Sequence, residues 1–347
     1  MVVAQQSLQL RLLALLVAAA ADSHMPTATG STVYVFRHCV RSIETSSLSA
    51  YTRREFPSWG VPKDTCLPRG LDIMQGAGRH LRAAGVVAPS IVADDVARNI
   101  ASAHALATGL GLLPGSVAVN GSAFVRCKAP SDSAKGKLIG KRLLDATPPT
   151  NAIGLVGAID RVLGGKKHIA GQTDTVSKDT GKLSGRVTLA SMAAETFLMQ
   201  YGAGIPIGWG DVSPAEMFAM EQMHVYEWAI DRHSKTIEQA KSSRMLATIV
   251  RLLGGGGNDT TVFVGHDTDI NGLGRLLDIG WHAPPFAENT TAPNVALRFE
   301  TSPAGSVSVT FVYPPTDLMS RPPCFVCLVY AFYTVQAGPD VLSEQVH

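Results

Sequence analysis

The chain has 347 residues, of which 17% are charged and 46% hydrophobic, with a formal net charge of +2. That length can bury a sizeable core as one large domain or two smaller ones, and a near-neutral balance without a basic tract argues against nucleic acid as a partner. Five cysteines, Cys39, Cys66, Cys127, Cys324 and Cys327, predict pairing in an exported protein but leave the connectivity open.

Residues 1–21 carry Arg11, an all-apolar run from Leu12 to Ala21 and small residues before Asp22. This is the layout of a secretory signal peptide, and it falls short of the roughly 20 apolar residues that a spanning helix needs. No later run is long enough to span a bilayer, so the expectation is a secreted or periplasmic protein with no membrane anchor after cleavage. Thr32 to Phe36 is β-branched and aromatic and reads as a short buried strand, stopping abruptly at Arg37-His38-Cys39-Val40-Arg41. Two guanidiniums around a histidine are costly at a strand end unless something anionic sits there. Arginine's planar fork suits phosphate oxygens, and open α/β sheets bind ligands at the carboxyl ends of their strands.

Pro57, Trp59, Gly60, Pro62 and Pro68 mark a long loop from Ser42 to Arg69. A helix around Gly70 to Ala84 leads to a strand candidate at Ser90 to Ala93, and Arg98 lies near the start of another helix-like segment. Strands alternating with helices predict an α/β fold with a mostly parallel central sheet flanked by helices. From 124 to 251 helical spacing dominates, as in Leu189 to Tyr201 and Pro214 to Arg232, and predicts an inserted α-helical cap. Glycines at 254–257 lead back to a second apolar run, Thr260 to Val264, which ends in Gly265-His266-Asp267-Thr268. A helix over Ile270 to Leu277 and closing strands over Val295 to Phe299 and Val307 to Val312 follow. The expected organisation is an α/β core of 26–123 and 252–315, a cap of 124–251 and an atypical tail of 316–347. The tail's apolar run, Pro322 to Tyr333, is a candidate buried strand.

Three ordered motifs, Arg37-His38-x-x-Arg41, Arg98 with Ser102-Ala103, and His266-Asp267, together resemble the histidine acid phosphatases. The likeness is to the branch that holds bacterial periplasmic acid phosphatases, phytases and glucose-1-phosphatases. It runs, with gaps, from about Thr32 to about Glu300 and takes in Leu67-Pro68-Arg69-Gly70, Leu189-Ala190-Ser191-Met192 and Gly208-Trp209-Gly210. The resemblance implies an enzyme without metal or cofactor that hydrolyses small-molecule phosphomonoesters. His38 would be the nucleophile, forming a phosphohistidine that water then hydrolyses. Arg37, Arg41, Arg98 and His266 would bind the phosphate, and Asp267, held protonated, would protonate the leaving alkoxide. The chemistry fits, since phosphoryl transfer needs positioning and charge neutralisation, and a neutral imidazole is nucleophilic without a separate base.

Several features compete with this reading or depart from it. His38-Cys39 begins like a tyrosine-phosphatase signature, but Thr45 stands where that loop needs arginine. Gly136 to Lys141 is one residue short of a phosphate-cradling loop and is followed by Arg142 rather than Ser or Thr. Cys324-x-x-Cys327 has no partner His/Cys pair nearby for zinc, His224 and Glu227 read as a packed or solvated pair, and Asn120, Asn258 and Asn289 fit glycosylation acceptors. Against the resemblance, Cys39 replaces a usual glycine, Ile43 a proline, Asn99 a threonine and Asp269 an asparagine. A side chain at 39 would crowd the phosphate, and Asp269 would weaken anion binding or raise Asp267. A catalytically impaired phosphate binder and an intracellular mutase-like enzyme are the alternatives, the latter opposed by the signal peptide and by the His266-Asp267 pair. Ser42 to Thr45 offer the acid Glu44 and no base, so phytate is expected to be a poorer substrate than a small sugar phosphate.

Overall fold

A computed structural model of the chain describes residues 30–314 and 331–337, apart from 114, 125, 126, 128, 129, 232, 233, 256, 303 and 304. The expected signal peptide, the Cys324-x-x-Cys327 pair and most of the tail lie outside the described residues. In chain order the first elements are β1 (Thr32–Arg37), α1 (Pro68–Ala83), β2 (Ser90–Ala93), α2 (Ala97–Leu110) and β3 (Val117–Val119). Then come α3 (Asp132–Asp145), α4 (Ala152–Leu163), a pair of short antiparallel strands β4 (Thr175–Val176) and β5 (Leu183–Ser184), α5 (Arg186–Ala203), α6 (Pro214–Met220), α7 (Gln222–Asp231) and α8 (Lys235–Leu253). The chain closes through β6 (Thr260–Gly265), α9 (Asp267–Leu277), β7 (Ala296–Thr301), β8 (Val307–Tyr313) and β9 (Ala331–Ala337).

One sheet organises these elements in the order β3-β2-β6-β1-β7-β8-β9, parallel from β3 to β1 and antiparallel from β7 outward. β1 sits between β6 and β7, which explains why its sequence is an unbroken apolar run rather than an alternating one. Its successive side chains face opposite layers. Tyr34 and Phe36 pack with Met74, Leu81, Leu106 and other residues of α1 and α2, whereas Val33 and Val35 join the larger core that includes Phe197, Ile249 and Leu273. β9 extends the antiparallel edge by pairing with β8, so the end of the tail's apolar run is strand.

The helix over Ile270 to Leu277 begins earlier than its apolar spacing implies. Asp267 opens it and His266 is its N-cap, because carboxylates are favoured in a first turn where backbone N–H groups are unpaired. Similarly Pro68 opens α1, a position where its missing N–H costs nothing. Among the described residues no helix is long and apolar enough to cross a membrane.

Candidate active site

Strand register builds the site. β1 and β6 run parallel with Arg37 opposite Gly265, so the residues that follow, His38 and His266, leave the sheet side by side. The His38 N–H donates to the Gly265 carbonyl at 2.9 Å, and the two imidazoles meet edge to face with centroids 5.5 Å apart. On the other side of β6, Ala93 at the end of β2 lies opposite Val264, which brings Asp94 and the first turn of α2, with Arg98, to the same edge. Gly70 lets α1 abut the motif loop, since a Cβ there would lie 2.4 Å from the Val40 carbonyl oxygen.

The three predicted arginines converge, but carboxylates meet them. Arg37 is fully buried; its Nη2 lies 3.0 Å from Glu195 Oε1 and 2.9 Å from Asp267 Oδ2, and its Nη1 donates to the Thr291 carbonyl. Arg41 pairs with Asp64 at 2.9 Å and reaches the same Glu195 oxygen at 3.5 Å. Arg98 donates to His266 Nδ1 at 3.3 Å, and His266 Nε2 lies 3.1 Å from Asp94 Oδ2 and 3.0 Å from Asn99 Nδ2. Carboxylates of the protein itself therefore stand beside these guanidiniums.

The histidine tautomers follow from their partners. His38 Nδ1 is 2.9 Å from the Cys39 carbonyl, which only accepts, so Nδ1 carries the proton and Nε2 keeps its lone pair. Burial, and then the charges of Arg37 and Arg41, hold His38 well below its ordinary value, outweighing Asp267 and the Cys39 carbonyl. His266 is likewise lowered, by burial and Arg98. A neutral ring that accepts from Arg98 at Nδ1 donates from Nε2 to Asp94.

Asp267 departs from expectation. Burial alone would raise it, but Arg37, His38, His224 and Arg41 outweigh burial and hold its carboxyl well below the usual range. With Arg37 Nη2 2.9 Å from its Oδ2, Asp267 is held as an ion-pair partner of Arg37. Asp269, the feared extra charge, accepts the His266 backbone N–H at 2.7 Å and caps α9. Cys39 is buried in a disulfide with Cys66. Cys127 is exposed and has no disulfide partner among the described residues. Glu44 stands 3.3 Å from Lys63, a base that the residues after Arg41 do not show.

Glu195, Asp94 and Asp64 were not apparent in the motifs. A signal for Glu195 does exist: it is a single acid in α5 among Ala190, Ala193, Ala194, Phe197 and Leu198, all fully buried. On the same helix Ser191 joins His224 (2.8 Å) to Glu227 (2.9 Å), so that pair is packed through a hydroxyl. Glu221 is buried with neither carboxyl oxygen partnered among the described residues, and burial followed by the charge of Glu195 pushes it well above its ordinary value.

No protein-family model matches the chain. In sequence it is 29% identical to the phytase AppA of Escherichia coli over 138 residues, 36% of this chain and 32% of that protein, so the match spans about a third of the curated relative's length. In structure, the Hafnia alvei phytase in complex with myo-inositol hexakis sulphate superposes with a TM-score of 0.78 at 18% identity, over 91% of this chain and 96% of that one. The chain shares the fold of this phytase. The Klebsiella phytase agrees, with a TM-score of 0.76 at 16% identity over 92% of this chain and 96% of that chain. Within this fold, the strand ends that carry His38 and His266 lie side by side on parallel neighbours.

Proposed function

We propose that the protein is an exported, metal-independent acid phosphatase hydrolysing phosphomonoesters through a phosphohistidine on His38. The observation that carries this is His38 itself: buried, held well below its ordinary value and donating from Nδ1 to the Cys39 carbonyl so that Nε2 keeps its lone pair, with Arg37, Arg41 and Arg98 gathered at the same sheet edge. A histidine held below its ordinary value remains an unprotonated nucleophile at acid pH, where a free imidazole would be charged.

A phosphoryl group bound beside His38 competes with Glu195 and Asp267 for the arginine N–H groups and draws Arg98 away from His266. His266, its Nε2 still held by Asp94, then takes a proton at Nδ1 and donates it in a hydrogen bond to a phosphate oxygen. Loss of its share of Arg37, together with the nearby phosphate charge, raises Asp267, which takes up a proton and delivers it to the leaving alkoxide. In this reading the core of 26–123 and 252–315 carries the chemistry, and the cap of 124–251 supplies Glu195.

A phytase specialisation is the second reading, favoured by the AppA match. The case for a non-catalytic binder weakens once Cys39 is tied into a disulfide and Asp269 into a helix cap. Turnover of p-nitrophenyl phosphate near pH ~5 with a chelator present tests the proposal, and rapid quench with labelled substrate should trap an acid-labile, base-stable adduct on His38. A fully active His38→Ala enzyme refutes it.

A further inference from the structure

The geometry points to the Cys39–Cys66 disulfide as the device that positions His38 for attack, an inference that rests on the phosphatase reading above. Cys39 directly follows His38, and its carbonyl is the group to which His38 Nδ1–H donates. The orientation of that carbonyl is set by the backbone of residue 39. It is anchored on one side by the Cys39 N–H donating to Ser102 Oγ at 2.9 Å, and on the other by the bond from its sulfur to Cys66. Cys66 is itself fixed. It lies opposite Arg41 in an antiparallel bridge, flanked by Leu67 N–H to Val40 carbonyl (2.9 Å) and Ser42 N–H to Thr65 carbonyl (3.0 Å). Both cysteines are buried, and Ser102 donates in turn to the Arg98 carbonyl at 2.7 Å.

Without the sulfur bond the peptide between residues 39 and 40 can turn, by opposed rotations about Cys39 ψ and Val40 φ, while the Cys39 N–H stays on Ser102. Its carbonyl then leaves Nδ1. The imidazole loses both its aim and its tautomer, and Nε2 is no longer always the unprotonated nitrogen. The phosphate-binding guanidiniums do not depend on the sulfur in this way. Arg37 is held by Glu195, Asp267 and the Thr291 carbonyl, and Arg41 by Asp64 and Glu195. Breaking the disulfide should therefore slow phosphoryl transfer far more than it weakens phosphate binding, as expected when a reacting group is misplaced while its site persists.

Cys39→Ser and Cys66→Ser each remove the bond with little change of volume. The measurements are kcat on p-nitrophenyl phosphate, the inhibition constant of inorganic phosphate, and the number of phosphate-binding sites per chain by calorimetry. The expected result for each variant is a kcat lower by about tenfold or more, a phosphate inhibition constant within about twofold of wild type, and an unchanged number of sites. Unchanged kcat overturns the inference, and so does a fall in kcat matched by fewer binding sites, which would mean only that fewer chains are folded. An oxidised wild-type protein that hydrolyses no phosphomonoester defeats the phosphatase reading instead. Should neither variant fold, wild type is treated with dithiothreitol, which closes to its cyclic disulfide as two electrons and two protons pass to Cys39 and Cys66. The same loss of kcat is expected, with recovery when glutathione disulfide takes those electrons back; full activity in protein whose counted thiols show the bond reduced overturns the inference.

Discussion

Replacing Arg37 with methionine tests whether the buried charge cluster is as tightly balanced as its distances imply. Arg37 is fully buried between Asp267 at 2.9 Å and Glu195 at 3.0 Å. At an effective dielectric of about 20, each contact carries about 6 kcal/mol of gross attraction, most of it offset by desolvation of the three groups. Arg37→Met fills similar space with an unbranched apolar chain but leaves both carboxylates without their shared cation. Breaking a buried pair in this way costs about 3–5 kcal/mol. The loss should depend on pH in a specific sense. In wild type the Asp267 carboxyl is held below its unfolded value of about 4, so its contribution is complete above that value and is lost as pH falls beneath it. In the variant burial is opposed only by weaker neighbours, the folded value rises above the unfolded one, and stability declines as pH rises past about 4. Glu195, also held low in wild type against its burial, changes in the same direction. Urea denaturation followed by tryptophan fluorescence at pH ~4 and pH ~7 should give a gap between wild type and variant that widens toward neutrality. A gap below about 1 kcal/mol at pH ~7, or one that stays constant with pH, would refute the reasoning.

Other expectations follow from the same cluster. Asp267→Asn should slow alkyl phosphates much more than p-nitrophenyl phosphate, whose leaving group scarcely needs a proton; equal losses would make Asp267 structural. Glu195→Gln removes an anion that shares Arg37 and Arg41 with any bound phosphate, so competitive inhibition by inorganic phosphate should tighten by about fivefold or more, and weaker inhibition would count against the shared-arginine picture. Glu44→Lys should raise kcat/KM for phytate relative to glucose 1-phosphate. Because Lys63 already screens Glu44, and both are exposed, the gain should be severalfold at most; a wild type that already prefers phytate by about tenfold would contradict the reading of that loop.

Much of the fold is legible in local sequence. Thr32–Phe36 and Thr260–Val264 announce buried strands because β-branched and aromatic runs suit a sheet covered on both faces, and helical spacing marks most of the segment between β3 and β6. The site motifs are legible for a related reason: Arg37-His38, Arg41, Arg98 and His266-Asp267 sit where strands or helices begin or end, and an abrupt cluster of charge after an apolar run is visible without knowing what it faces. Only the tertiary structure decides what it does face. Glu195, Asp64 and Asp94 come from separate elements, and their pairing with Arg37, Arg41 and His266 depends on approaches of about 3 Å that no spacing in the chain encodes. The same holds for Asp267. Its residue type and position suggest an acid, but its ionisation is set by the contest between burial and a guanidinium 2.9 Å away. Cys39 is the sharpest case: alone it reads as a misfit in the loop, whereas the folded chain sets its α-carbon 5.7 Å from that of Cys66, and a covalent bond joins them. Chain-local preferences write the strands, the helices and the motif edges; through-space electrostatics and cross-chain contacts, which exist only after folding, assign their partners.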